Sequence, residues 1–299
     1  MTAPIPKTIP EYLEQLRAAL AGSDPALIQD ALYDAEEYLR SEWAEQPGVE
    51  EATLLASVAG SYGAPSEVAD IYRDTEATVV QALRAPPPKQ RDSLLGRFFG
   101  VLADPLAYTA LLYMLLALVT GVFYFTWTVT GLSLSVGLGT LIIGIPFVIV
   151  FFASIRGLSL VEGRLVEAML GERMPRRPHY AVRDQPMLSR IKEMFLDPRS
   201  WSTFLYLLLM LPLGIAYFTF AVVALAVSLT IAALPFAQTF TDQGVMSFGD
   251  LSIRLAWWTA PMTLAMGAVL IVLTLHAARG IVRMHAQLAK NLLVKSSQG

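Results

Sequence analysis

The chain of 299 residues is 55% hydrophobic and only 16% charged, with a mean hydropathy of +0.51. Ordinary soluble domains are about 25% charged, so this composition excludes one and predicts an integral membrane protein. The net charge of −3 conceals an asymmetry, because residues 1–80 hold 15 acidic and 4 basic residues whereas residues 81–299 hold 10 and 18. The absence of cysteine excludes disulfides, zinc–thiolate sites and thiol chemistry.

Residues 1–80 predict a small domain of four helices. Oxygen side chains followed by proline mark helix starts at Thr8 and Asp24, and two further helices start near Glu50 and Pro65. The apolar stripes at helical spacing are Tyr12, Leu13, Leu16 and Leu20, then Leu27, Ile28, Ala31, Leu32, Ala35 and Leu39, then Leu54, Leu55 and Val58, then Val68, Ala69, Ile71 and Tyr72. The chain starts without an apolar run, which predicts no cleaved signal peptide and a cytoplasmic domain.

Acidic residues cover the other faces of these helices. Paired carboxylates such as Glu36 and Glu37 are compatible with catalysis or metal binding, but no histidine, glycine loop or nucleophile accompanies them. A solvated helix face explains them more simply, and the acidity indicates a partner with a basic surface. The residues assigned to docking that partner are Asp34, Glu36, Glu37 and Asp70.

Three short sequences in this domain are Tyr12-Leu-Glu-Gln-Leu, Asp34-Ala-Glu-Glu-Tyr38 and Tyr62-Gly-Ala-Pro-Ser-Glu-Val-Ala-Asp-Ile71. Together they resemble the HTH-associated α-helical signalling (HAAS) domain, with its leucine-rich first helix, its acidic helix and its G-x-P-x-E-x-A pattern. The match covers about residues 10–75. The resemblance implies a domain on the cytoplasmic side of a membrane sensor that works with a PadR-like winged-helix regulator.

Residues 81–103 predict a linker and an approach to the membrane. Ala85-Pro-Pro-Pro88 forms a short stiff spacer, and Lys89, Arg91 and Arg97 then lie among apolar residues as in an interfacial helix. A helix end packed on the bundle explains the second part equally well. A similar segment recurs at residues 187–195.

An apolar hairpin occurs twice in residues 104–299. Asp104 and Asp197 begin the two copies, and the offset of 93 residues (197 − 104) holds without a gap as far as Ser135 and Ser228. No charged residue lies between Asp104 and Arg156, which leaves room for two spans of about 20 residues each. The pattern predicts spans at about 106–129 and 134–155 with a turn at 130–135, a third span from about 201 and a fourth at about 257–276.

The charges orient these spans. Basic residues crowd the connection 156–199 and the tail after residue 279, so the positive-inside rule places both termini and the connection in the cytoplasm. The predicted fold is therefore all-α, with a small cytoplasmic helical domain (1–80), a linker with an interfacial helix (81–103) and a four-helix transmembrane bundle (104–299). Two parallel hairpin repeats, at about 94–170 and 187–293, build the bundle.

Each hairpin is followed by Arg-Gly and an amphipathic helix. The offset from Arg156 to Arg279 is 123 residues, so the second copy holds 30 residues more than the first, at about 232–258 on the outer surface. This segment mixes aromatic and charged side chains as interfacial segments do, and it is the candidate sensing loop. An extension of the third span is the open alternative for residues 232–256. Its assigned residues are Asp242, Asp250, Arg254, Trp257 and Trp258. If the loop is only a passive cap, the cue is expected along the Tyr113/Tyr206 and Tyr124/Tyr217 faces.

The hairpins also carry longer patterns. The first half contains Tyr113-Met-Leu-Leu, Gly121-Val-Phe-Tyr-Phe, Thr130-Gly-Leu-Ser-Leu-Ser-Val-Gly-Leu-Gly139 and Gly144-Ile-Pro146, and the second contains Asp197-Pro-Arg-Ser-Trp-Ser-Thr-Phe-Leu-Tyr206 and Leu211-Pro-Leu-Gly214. Over about residues 94–293 these resemble the membrane sensor module of many bacterial, especially actinobacterial, histidine kinases. Copy two lacks the glycine-rich patterns, and no phosphoacceptor histidine or ATP-binding segment is present, so autophosphorylation is not expected.

These patterns predict a non-enzymatic sensor in the bacterial cytoplasmic (inner) membrane, which responds to an envelope or lipid cue and controls a cytoplasmic transcription regulator through its helical domain. No catalytic, cofactor or metal site is predicted, since His276 and His285 are nine residues apart and His179 is alone. The expected partners are the lipid bilayer and a PadR-like regulator, without direct binding of nucleic acid; a homo-oligomer is compatible. The alternative function is a membrane subunit of a lipid or small-molecule exporter.

The topology can be tested by labelling single cysteines in a chain that has none of its own. Cysteines replacing Ser61, Ser189 or Ser297 should react with an impermeant reagent only after the cytoplasm is opened, whereas one replacing Ser247 should react from outside. Labelling of residue 189 in intact cells would contradict the parallel arrangement of the repeats.

Overall fold

The computed structural model describes residues 6–83, 93–139, 141, 144–175, 198–240, 246–248, 251–253 and 256–294. Its helices are α1 (Ile9–Ala19), α2 (Pro25–Glu45), α3 (Glu51–Ser61), α4 (Pro65–Leu83), α5 (Leu94–Phe99), α6 (Pro105–Leu138), α7 (Gly144–Leu170), α8 (Pro198–Phe240) and α9 (Ala260–Leu293). Strands β1 (Met246–Phe248) and β2 (Leu251–Ile253) pair in an antiparallel ribbon, with Ser247 opposite Ser252. The chain forms two compact units, the first from residues 1–87, 137–204 and 289–299 and the second from residues 88–136 and 205–288.

Four of the described helices are long and apolar enough to cross a membrane. They are Pro105–Leu138, Gly144–Leu170, Ser200–Ala237 and Trp257–Leu293. The chain is therefore an all-α membrane protein, as its composition predicts, apart from the short ribbon. The Pro-rich linker and the recurring segment at 187–195 lie outside the described residues.

The turn between the first two spans lies later than the sequence predicts. The expected turn at 130–135 is helical, and Ser135 Oγ donates to the carbonyl of Gly131 at 2.7 Å inside α6. Because backbone groups in a membrane interior must be paired within the helix, serine and glycine alone do not end a span there. The chain turns instead between Leu138 and Gly144, where the amide of Leu141 donates to the carbonyl of Leu138 at 2.9 Å.

Part of the additional residues of the second copy lengthens the two neighbouring helices. Under the offset of 93 residues, Leu138 at the end of α6 corresponds to residue 231, and α8 continues nine residues beyond it. Under the offset of 123 residues, Gly144 at the start of α7 corresponds to Gly267, and α9 begins seven residues before it. Residues 232–240 therefore extend the helix of the third span, which is one of the two alternatives that the sequence leaves open for this segment. Leu, Phe and Ala residues continue the apolar helix there, and Pro235 does not end it.

The amphipathic helices expected after Arg156 and Arg279 are continuous with the spans. α7 and α9 pass through both Arg-Gly pairs without a break. The buried stripe of α9 near its end is Val282, His285, Ala286, Ala289 and Leu293, whereas Met284 is 72% exposed.

In the first unit, α1 to α4 enclose a core of their own. α1 packs against α2 and α4, and α3 packs against α2. The core contains Ile9, Tyr12, Leu16, Leu20, Ile28, Ala31, Ala35, Leu39, Leu54, Leu55, Val58, Val68 and Ala69. Ile71, predicted to face this core, is instead exposed. Caps agree with the predicted starts, since Thr8 Oγ1 accepts from the amide of Glu11 and Asp24 Oδ1 from the amide of Ala26.

The G-x-P-x-E-x-A pattern forms the junction between α3 and α4. Gly63 has φ +110°, a left-handed conformation that suits glycine, and its carbonyl accepts a 2.9 Å hydrogen bond from the hydroxyl of Tyr12. Pro65 opens α4, and Glu67 accepts from the amide of Ala64 at 3.0 Å. Ala69 then enters the core, so the pattern sets one turn and the contact of α4 with α1.

In the second unit, α6 and α8 cross at a pair of glycines. A Cβ on Gly121 would overlap the carbonyl oxygen of Met210, and one on Gly214 would overlap that of Ala117. Both the glycines and the residues they meet are 93 residues apart, so the two contacts are equivalent under the repeat offset. Small residues let apolar helices approach closely in membranes, where packing drives their association.

The segment before α6 packs on α9. His276 Nε2 lies 3.0 Å from the carbonyl oxygen of Phe98, and the two rings stack at 5.7 Å. Asp104 accepts from the amide of Leu106 at 3.0 Å and pairs with Arg279 at 2.7 Å. Leu95 is nevertheless exposed, so this segment packs on one side and presents an apolar side to its surroundings.

The glycine crossing predicts which small substitutions are harmful. Gly121→Ala or Gly214→Ala should lower the thermal stability of the protein in detergent by ~1–3 kcal/mol, because the new methyl group meets backbone of the neighbouring helix. The matched control is Gly157→Ala in α7, where nothing lies within 4 Å of the added Cβ. A loss of stability in the control as large as at residue 121 would contradict the crossing.

Candidate functional site

One polar cluster lies in the second unit, around a histidine that is 1% exposed. His285 Nε2 lies 2.6 Å from the hydroxyl of Tyr113 and 3.1 Å from that of Tyr206, and Nδ1 lies 3.3 Å from the hydroxyl of Tyr217. Tyr113 belongs to α6, Tyr206 and Tyr217 belong to α8, and His285 belongs to α9. One imidazole therefore joins three helices.

The side chains of this cluster can form hydrogen bonds with one another and so connect the helices that carry them. A neutral imidazole has one donor and one acceptor nitrogen, while each tyrosine hydroxyl can both donate and accept. Whichever nitrogen of His285 carries the proton, the other can accept a hydrogen bond from a tyrosine. Buried polar groups are costly unless they are paired, so these hydrogen bonds hold α6, α8 and α9 in one mutual register.

The cluster combines a repeated and an unrepeated element. Tyr113 and Tyr206 occupy the same position in the two copies, and both reach Nε2 of His285. Sequence reasoning named the tyrosine faces but considered His285 only as a metal ligand. Its position could have been found from spacing, because Ile281, His285 and Leu288 recur every three or four residues and share the inner side of an amphipathic helix.

A second cluster, in the first unit, binds α2. The guanidinium of Arg173, just after α7, pairs with Asp30 at 3.1 Å and also with Glu76 of α4. Lys290, near the end of α9, pairs at 2.5 Å with Asp24, the N-cap of α2. We call these ion pairs the α2 clasp. They join the acidic domain to a residue just after α7 and to a residue in the last turns of α9.

Some residues of α2 are buried outside the core of the four-helix domain, in agreement with the ion pairs of the α2 clasp. Ala26 and Leu27 are buried, yet neither belongs to the cluster that forms the core of the four-helix domain. Met174, next to Arg173, is also fully buried and lies 3.4 Å from a Cβ placed on Gly163. The first half of α2 is therefore covered on more than its core side.

The predicted docking residues have different surroundings. Asp34 accepts a 3.0 Å hydrogen bond from Tyr72, and Glu36 pairs with Arg40 at 2.9 Å. Glu37 is exposed, as is Asp70, which pairs with Arg73 at 3.1 Å. Glu37 and Asp70 present their charge to solvent, whereas Asp34 is engaged inside the domain.

Asp34 also affects the tyrosines around it. Burial, then the nearby charge of Asp34, raises the pKa of Tyr62 to about 12, and the same two causes raise the pKa of Tyr72. Tyr62 stacks on Tyr38 with ring centroids 4.4 Å apart. Tyr62 and Tyr72 therefore remain neutral at physiological pH and serve the packing of α2 against α3 and α4.

The candidate sensing residues are only partly described. Asp242, Asp250 and Arg254 lie outside the described residues, while Trp257 and Trp258 are 70% and 78% exposed in the turn before α9. Exposed tryptophans at the end of an apolar helix are typical of a membrane–water interface. Among the described residues, no three His, Cys, Asp or Glu side chains come together as a metal ion would require.

The four apolar helices and the buried joint between three of them define a helical membrane protein with an attached helical domain. The family described as "Putative sensor" matches residues 113–293, which is more than half of the chain, and the protein belongs to this family. The match begins at Tyr113 and includes His285, Arg173 and Lys290. No curated protein and no solved structure matches the chain.

The clasp predicts an unequal effect of two arginine substitutions. Arg173→Ala should destabilise the docked domain by ~3–5 kcal/mol, because it leaves the buried carboxylate of Asp30 without its cationic partner. Arg164→Ala, which removes an exposed pair with Glu167, should cost less than ~1 kcal/mol. Thermal unfolding of the full chain, followed by circular dichroism, measures both; equal effects would contradict the structural role of Arg173.

Proposed function

We propose that the chain is a non-enzymatic sensor of the bacterial inner membrane that controls a cytoplasmic transcription regulator through its N-terminal helical domain. The observation that carries this proposal is the α2 clasp, because Arg173 and Lys290 connect the domain to the ends of two apolar helices. A change in those helices would reach α2 directly. Membership of the sensor family supports the same role.

The proposed orientation places both termini and the long connection in the cytoplasm. Basic residues concentrate in these segments, in agreement with the positive-inside rule. The contacts of Gly121 and Gly214 show that α6 and α8 pack closely on each other, and the basic connection between the two hairpins favours their entry from the same side. The turn with Trp257 and Trp258 then lies at the outer interface, where an envelope or lipid cue would be met.

The proposed output is a PadR-like winged-helix regulator. The HAAS-like patterns suggest this partner, and the structure gives a physical reason for one of them, since Gly63, Pro65 and Glu67 shape the α3–α4 junction. Glu37 and Asp70 are the exposed acids available to a basic surface. Electrostatic docking of this kind would favour fast and salt-sensitive association.

Binding to a purified regulator tests the output. The full chain in nanodiscs should bind a PadR-like regulator encoded in the same genome. The affinity should fall as the salt concentration of the assay rises from about 50 to about 300 mM, because salt screens exposed charges. Glu37→Lys should weaken binding by about fivefold or more, because it reverses an exposed charge on α2.

Glu14→Lys is the matched control, since it makes the same charge change at an exposed position on α1. Circular dichroism confirms that both variants keep their helices. Equal loss of binding in both variants would mean that only the overall charge matters, and unchanged binding after Glu37→Lys would place the docking surface elsewhere. Absence of any binding by the unmodified chain would contradict the proposed output.

A further inference from the structure

We propose that α9 is the element that carries the state of the His285 cluster to the N-terminal domain, through Lys290 and the N-cap of α2. The inference rests on the proposed sensor function and assigns its internal route. α9 contributes to both compact units, since its residues up to 288 belong to the second and those from 289 to the first. Both polar contacts that matter therefore lie on one continuous helix.

The segment of α9 between the two contacts is stiff. His285 and Lys290 are five residues apart, about 7.5 Å along a helix and less than one and a half turns. No glycine or proline occurs between Arg283 and Leu293. A shift or rotation of the helix at residue 285 is thus passed to residue 290 without a hinge that could absorb it.

At the first contact, two helices hold the same imidazole. α6 supplies Tyr113 and α8 supplies Tyr206, both to Nε2, at 2.6 and 3.1 Å. Movement of α6 against α8 cannot preserve both hydrogen bonds, so the histidine must follow one tyrosine or the other. A joint with alternative partners has discrete arrangements, which is the property that a switch requires.

At the second contact, each carboxylate oxygen of Asp24 accepts a different hydrogen bond. Its Oδ1 accepts from the amide of Ala26 at 2.9 Å and caps α2, while its Oδ2 accepts from Lys290 at 2.5 Å. Displacement of Lys290 would therefore act on the first turn of α2. The end of α9 also touches α8, because Ser202 Oγ donates to the carbonyl of Leu292 at 2.8 Å.

Hydrogen–deuterium exchange of the full chain in nanodiscs of phosphatidylethanolamine and phosphatidylglycerol tests this route. His285→Phe removes every hydrogen bond of the imidazole while keeping a ring of similar size in the buried site. We expect the amides of residues 26–31 to exchange about fivefold faster or more. Tyr113→Phe, which removes only one hydroxyl, should change the same amides in the same direction and covers the case in which His285→Phe misfolds.

His276→Phe is the matched control, because it makes the same substitution on the same helix outside the cluster. It should leave the exchange of residues 26–31 unchanged. Lys290→Gln should itself increase this exchange, and adding His285→Phe to Lys290→Gln should give little further increase, since both act along one route.

The outcomes separate this inference from the function on which it rests. Unchanged exchange of residues 26–31 in both His285→Phe and Tyr113→Phe would overturn the route through α9, as would full additivity with Lys290→Gln. If the unmodified chain still binds the regulator in that case, the sensor function stands and only the route is wrong. Loss of regulator binding together with intact coupling would contradict the output instead.

Discussion

An imidazole buried among apolar helices has to keep both of its ring nitrogens hydrogen-bonded, and His285 can do so only while α6, α8 and α9 hold one mutual register. Apolar side chains alone would let these helices slide, because dispersion contacts differ little between neighbouring registers. Three hydroxyls at fixed heights remove that freedom. The close approach of α6 and α8 at Gly121 and Gly214 then sets their separation, so the two features together determine the geometry of the second unit.

The offset of 93 residues in the sequence relates some of these contacts but not all of them. Gly121 with Met210 and Gly214 with Ala117 are equivalent contacts, as are the positions of Tyr113 and Tyr206. A single histidine cannot be shared symmetrically by two repeats, and it is found in the second copy only. The longer helices and the ribbon also belong to that copy. Residues related by the offset therefore set the close packing of α6 and α8, while the histidine and the longer helix ends occur only in the second half.

Local and periodic features were predictable from the sequence. Caps such as Thr8 and Asp24, the apolar stripes of α1 and α2 and the four long apolar segments all follow from spacing and composition. The first turn was misplaced because Ser135 can satisfy its hydroxyl on the carbonyl of Gly131 inside a helix, an option that residue preferences do not reveal.

Contacts between distant parts of the chain were not predictable in this way. Arg173 lies 143 residues from Asp30, and Tyr113 lies 172 residues from His285. The sequence around Arg173 or around Tyr113 does not identify the partner of that residue, because charge and spacing show only that a polar side chain needs a partner. The hydrogen bond of Asp34 was missed for the same reason, since its donor is Tyr72 on another helix.

The clasp also bears on the stability of the acidic domain itself. A domain of about 70 residues buries a modest core and is marginal alone. Arg173 contacts Asp30 on α2 and Glu76 on α4 at once, so it ties these two helices to each other as well as to the end of α7. Docking and internal packing therefore depend on one guanidinium. Loss of that contact would therefore loosen the packing of α2 against α4 as well as the attachment of both helices to the end of α7.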